Sequence, residues 1–208
     1  RTCWRMRRAT AMSSSSPMPC PSESLMCLKW SRSRNISASG SPLDPGSMPI
    51  TRNPLGKIPA LERNDGPAIY DSRVICRYLD SISGSRMYPP PPRLWETLTL
   101  EATADGILEA ALSMVYEVRM RPEEKRFNGW VEGQWAKAAR ALDAIETQWM
   151  DHLNGPLDMG QVAVACAVGY LDFRLDARNW RAARPALAAW EAKFGTRTSM
   201  QATRPPTA

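Results

Sequence analysis

The sequence predicts a two-part chain: a small α+β unit followed by an all-helical domain. Three observations predict it. "GKIPALERNDGPAIY" sets two short apolar runs, 59–61 and 68–70, about Asn64-Asp65-Gly66, residues that tolerate the positive φ of a tight hairpin turn. "PPPP" at 89–92 cannot continue a helix and reads as a stiff linker. From Arg93 onward, apolar residues recur at helical spacing.

The bulk numbers exclude several classes. A chain of 208 residues can bury one sizeable core or two small ones. It contains no run of 18 apolar residues, so no membrane partner is expected. No continuous apolar stretch of the secretory kind opens the chain, so a cytoplasmic setting with reduced cysteines is expected. The five cysteines form no CxxC and the only histidine is His152, so neither a metal site nor a histidine-based triad is expected. The net charge of +6 is concentrated in residues 1–50, which carry +5. Residues 51–208 carry +1, so no nucleic-acid partner is expected.

Residues 1–50 hold 12 Ser and 6 Pro and show no strand-like alternation. Residues 1–40 read as irregular, with three explanations open. They are a disordered Ser/Arg-rich tail, an organelle transit peptide that is removed, or a stretch translated out of frame and joined near "SPLDPG". The basic run from Arg1 to Arg8 reads as part of such a tail.

Residues 41–84 form the first ordered unit. Asp71-Ser72 has helix-cap chemistry, and Val74, Ile75, Tyr78, Leu79 and Ile82 make one apolar stripe ended by Gly84. Residues 85–92 are the linker, and 93–203 the helical domain. Its first helix runs to about Arg119. Pro122 with Glu123 and Glu124 marks the start of a second, carried by Trp130, Trp135, Leu142 and Ile145 to about Asp151. Asp158 with Gln161 resembles a capping box before "VAVACAVGYLDF", apolar nearly all round and hence a central buried helix. A last helix spans about Pro185 to Phe194, and "TRTSMQATRPPTA" reads as loosely ordered.

This order of elements resembles the glutathione S-transferase family. The resemblance is carried by "NPLGKIPAL", the stretch from Asp65-Gly66 to "AIYDSRVICRYLD", "LDMGQVAVACAVGYLDF" and "RPALAAWEAKF", over about residues 41 to 203. It implies a thioredoxin-like N-terminal domain, whose first strand and helix are missing or garbled here, and a helical C-terminal bundle. It also implies a homodimer, with glutathione as co-substrate and a small electrophile as the second substrate. By resemblance Pro59 is a cis proline that presents the N–H and C=O of Ile58 to the cysteinyl part of glutathione, as an added strand would. Ser72 receives the γ-glutamyl carboxylate at the helix mouth, with Asp71 near the ammonium. Without the resemblance, Asp71-Ser72 is a plain helix cap and Lys57 an exposed lysine.

Catalysis in this family lowers the thiol pKa of bound glutathione, ordinarily about 8.5. The thiolate then attacks an electrophilic carbon. The activating residue sits between the first strand and first helix. Ser16 is the nearest candidate and Cys20 the next, but Pro17, Pro19 and Pro21 crowd the required helix start. No catalytic residue is assigned. A non-enzymatic binding protein of the same fold, lacking that residue, is the alternative. Cys76 and Cys166 read as packed small hydrophobes. The tryptophans read mostly as core, Trp95 as a possible substrate contact, and Asp105-Gly106 as a point of close packing or a kink in a long helix.

Overall fold

The computed structural model describes residues 53–204. The readings of residues 1–40, with Ser16 and Cys20, lie outside the described residues. The chain divides into two compact units, one ending at Ser85 and the other beginning at Arg86.

In the first unit, Asn53-Pro54-Leu55-Gly56 closes a turn. The Gly56 N–H donates to the Asn53 carbonyl at 2.8 Å, and Gly56 takes a φ of +62°, a region glycine enters without steric cost. The expected hairpin is present only as one antiparallel bridge: Leu61 and Ile69 exchange N–H···O bonds of 2.9 and 3.0 Å. Thioredoxin-like strands are therefore not seen among the described residues. The register gives the reason. The next hydrogen-bonded pairs of that ladder are 59 with 71 and 63 with 67, and Pro59 and Pro67 have no N–H to donate.

Helix α1, Ser72–Ser83, follows. Asp71 caps it by accepting the Arg73 N–H at 3.0 Å, and Gly84 ends it at φ +66° with its N–H on the Asp80 carbonyl. Ile75 and Cys76 are its buried apolar side chains, whereas Val74 and Ile82, the margins of the expected stripe, are exposed.

The second unit is helical: α2, Arg93–Met120; α3, Asn128–Gln148; α4, Met150–Leu153; α5, Met159–Leu175; α6, Pro185–Phe194; and α7, Thr198–Ala202. Helix α5 is the centre. Every residue from 159 to 168 is buried, as its all-round apolar sequence predicts. It packs on α2, where Thr97 and Leu100 lie against Gly160. At Gly160 a Cβ would lie 3.0 Å from the Leu100 Cβ and 3.1 Å from the Thr97 carbonyl oxygen.

Several expectations are corrected. Pro122 does not start α3; Glu123–Lys125 form one 3₁₀ turn and the helix begins at Asn128, after Arg126 and Phe127 extend. The tail is not wholly loose, since Thr198–Ala202 is a helical turn with the Thr203 hydroxyl on the Ser199 carbonyl at 2.8 Å. Gly106 is not a close-packing point. A Cβ there would meet nothing within 4 Å, and the residue borders an open groove of about 510 Å³ between α2 and α3. Trp180 and Trp190 are core residues, while Trp95 is 63% exposed and Trp130 lies at the surface.

Side chains from distant positions complete the helix ends. Asp158 caps α5 through the Gln161 N–H (3.3 Å), but the box is not reciprocal. Gln161 instead donates its amide to the carbonyls of His152, Gly155 and Pro156 at 3.0–3.2 Å. Helix α6 has no cap of its own, and the Glu146 carboxylate of α3 accepts the Ala186 and Leu187 N–H groups at 3.0 and 2.7 Å.

Candidate glutathione site

The bridge between Leu61 and Ile69 sets the geometry of the first unit. Ile58-Pro59 comes just before Leu61 and Asp71-Ser72 just after Ile69, on the side of the antiparallel bridge away from the 64–66 turn. The four predicted residues Ile58, Pro59, Asp71 and Ser72 thus come to one end of the bridged pair. The Ile58–Pro59 peptide bond is cis. Ile58 is half-buried, and among the described residues its N–H and C=O have no hydrogen-bond partner.

Ser72 is the first residue of α1, where backbone N–H groups lack intrahelical acceptors. It is fully buried, and its Oγ has no partner among the described residues. A buried hydroxyl left unpaired costs about 1–3 kcal/mol, so such atoms usually mark a site that something else completes.

Asp71 is already engaged as the cap, with Arg73 Nη2 on its Oδ2 at 3.0 Å. Arg73 was not singled out from the sequence. Neither was Asn53, which is 4% exposed; its Oδ1 accepts the Leu55 N–H at 3.0 Å and its Nδ2 donates to the Lys57 carbonyl at 2.7 Å. The signal was available, because asparagine before proline favours a side-chain-closed turn. Lys57 itself is exposed.

The second unit holds another polar cluster. Oδ2 of Asp158, a residue 1% exposed, faces His152 Nε2 at 2.7 Å, Arg93 Nη2 at 3.0 Å and the Thr97 hydroxyl at 3.0 Å. His152 Nδ1 faces Glu96 Oε2 at 3.2 Å. These groups satisfy one another, so the cluster is a fastening between α2, α4 and α5. Among the described residues no group of acidic, histidine or cysteine side chains is placed to hold a metal. Cys76 and Cys166 are buried thiols that take part in no disulfide among the described residues. No helix among the described residues is long and apolar enough to cross a membrane.

Residues 19–82 match the family model of the glutathione S-transferase N-terminal domain, and residues 128–193 that of the C-terminal domain. The "Uncharacterized GST-like protein YibF" of Escherichia coli (strain K12) is 33% identical over 160 residues, covering 75% of this chain and 79% of its own. The chain belongs to the glutathione S-transferase family. Its N-terminal match reaches back to residue 19, upstream of residue 41 where the resemblance legible in the residues begins. Among solved structures it is similar to a glutathione transferase family member from Pseudomonas fluorescens Pf-5 with bound glutathione. That likeness has a TM-score of 0.77 and 38% identity, covering 90% of this chain and 96% of that one. A glutathione S-transferase from Methylobacillus flagellatus KT with glutathione bound gives a TM-score of 0.74 and 29% identity, covering 88% and 95%. The fold is therefore the glutathione S-transferase fold, an N-terminal domain followed by a helical one.

Proposed function

We propose that this glutathione S-transferase family member binds glutathione at the Ile58–Pro59 and Asp71–Ser72 end of its first unit and transfers it, as thiolate, to a small electrophile. The observation that carries the reading is the buried Ser72 hydroxyl, unpartnered among the described residues at a helix N-terminus. That terminus has the positive dipole end and N–H groups that suit a carboxylate. The main chain of Ile58 supplies a donor and an acceptor for a peptide, and Asp71 the negative charge for an ammonium. The two solved relatives named above hold glutathione, which supports the same ligand here. The reading includes the homodimer and the cytoplasmic setting that the family resemblance implies.

Retention on immobilised glutathione, then calorimetric titration, tests the binding step. Ser72→Ala should weaken binding about 10-fold or more, since a hydrogen bond to a charged group contributes roughly 1.5–3 kcal/mol. Failure of the unaltered protein to bind glutathione sinks the reading. Ultraviolet absorbance of the bound thiolate as a function of pH tests activation. A thiol pKa below its solution value supports the transferase; binding with an unmoved pKa supports the non-enzymatic alternative.

A further inference from the structure

We propose that Asn53 is a positioning residue for glutathione: by holding the Lys57 carbonyl it aims the Ile58 N–H at the ligand. The inference rests on the glutathione-binding reading above.

A peptide unit is a rigid plane, and in the trans form its C=O and N–H point in opposite directions. The Lys57 carbonyl and the Ile58 N–H belong to one such unit, and this bond is not among the chain's cis bonds. Asn53 Nδ2 donates to that carbonyl at 2.7 Å. Fixing the oxygen therefore fixes the donor on the other edge of the plane, facing away from Asn53. Among the described residues that donor has no partner.

The asparagine is itself held. Its Oδ1 accepts the Leu55 N–H, its carbonyl accepts the Gly56 N–H at 2.8 Å, and only 4% of its surface is exposed. Gly56 at φ +62° lets the chain turn tightly enough for one side chain to reach both ends of the loop. A mobile peptide plane at 57–58 has to be ordered when ligand binds, at the expense of affinity. Here the ordering is already done, by a side chain that touches no part of the ligand.

Asn53→Asp separates the two bonds. It keeps an oxygen for the Leu55 N–H and replaces the donor to Lys57 by an acceptor that repels the carbonyl. Asn53→Ser, whose hydroxyl reaches Leu55 but not Lys57, gives the same reading should the aspartate variant not fold. Each is titrated with S-methylglutathione, which has no thiol, alongside the unaltered protein and Ser72→Ala. The expected result is a dissociation constant raised about five- to tenfold, the worth of roughly one main-chain hydrogen bond. The helical unit should unfold as before. Steady-state assays should show a raised KM for glutathione and a kcat for bound glutathione within about twofold, a split that general loss of structure would not give.

The two failures are distinct. If the unaltered protein does not bind S-methylglutathione, the glutathione reading fails and this inference with it. If it binds, Ser72→Ala weakens it, and the Asn53 variants bind as tightly as the unaltered protein, the positioning role is overturned alone.

Discussion

Replacing Asp158 with alanine tests what holds the helical unit together. Asp158 accepts the Gln161 N–H as the cap of α5, and loss of such a cap is worth about 1 kcal/mol. Its Oδ2 also takes the His152 Nε2, the Thr97 hydroxyl and an Arg93 nitrogen. Those three partners fare differently once it is gone. The Thr97 hydroxyl still has the Arg93 carbonyl at 3.1 Å, and Arg93 keeps the carbonyls of Pro156 and His152. The Nε2 of His152 has no second partner among the described residues, and the residue is only 7% exposed. An orphaned buried donor costs about 1–3 kcal/mol, so Asp158→Ala should lose about 3 kcal/mol in all. For a unit of this size that is roughly 10 °C in melting temperature. Urea and thermal unfolding followed by circular dichroism measure both, and Asp158→Asn, which keeps an oxygen for the cap, should fall about halfway. A loss below about 1 kcal/mol for the alanine variant refutes the reasoning.

Three more predictions concern the same unit. Burial pushes the Tyr170 phenol up to about 12, against an ordinary value near ~10. The folded value is the higher one, so the stability it contributes is whole below pH ~10 and is lost as pH climbs through 12, roughly 3 kcal/mol by the linkage relation. Urea midpoints should fall over that interval in the unaltered protein and much less in Tyr170→Phe; a phenolate difference band between the folded unaltered protein and folded Tyr170→Phe that forms near pH ~10 would contradict this. Gly160→Ala should destabilise by about 1–3 kcal/mol, because its Cβ meets Leu100 and Thr97 at 3.0–3.1 Å. Gly106→Ala, with nothing within 4 Å, should stabilise by roughly 0.5–1 kcal/mol, and calorimetric melting of the pair checks both signs.

Local features of the chain were legible in its sequence where local chemistry decides them. Asp71 caps α1, Gly84 stops it, Asp158 opens α5, and the apolar run after Asp158 is buried, because each depends on neighbours within one helical turn. The bridge falls short of the paired strands the sequence predicts for a different reason. Its length depends on which residues fall opposite each other, and the alignment of Pro59 and Pro67 with donor positions appears only once 61 pairs with 69. Pro122 looked like a helix start, but nothing in the sequence around it discloses that Arg126 and Phe127 extend before Asn128. The site divides along the same line. Ile58, Pro59, Asp71 and Ser72 were named through family resemblance, whereas Asn53 and Arg73 act through hydrogen bonds that no periodicity encodes. Glu146 capping α6 from 40 residues away is invisible to any local rule.

Gln161 illustrates how an apparently mild exchange can reverse a residue's meaning. At the start of most helices glutamate and glutamine are interchangeable, since either can reach back to the cap. Here the side chain faces three carbonyl oxygens, and the two hydrogens on its nitrogen are shared among them. A glutamate of the same shape would present only lone pairs to those oxygens at a position 2% exposed to water. The single atom that differs, nitrogen against oxygen, decides whether the 152–156 loop is drawn inward or pushed away.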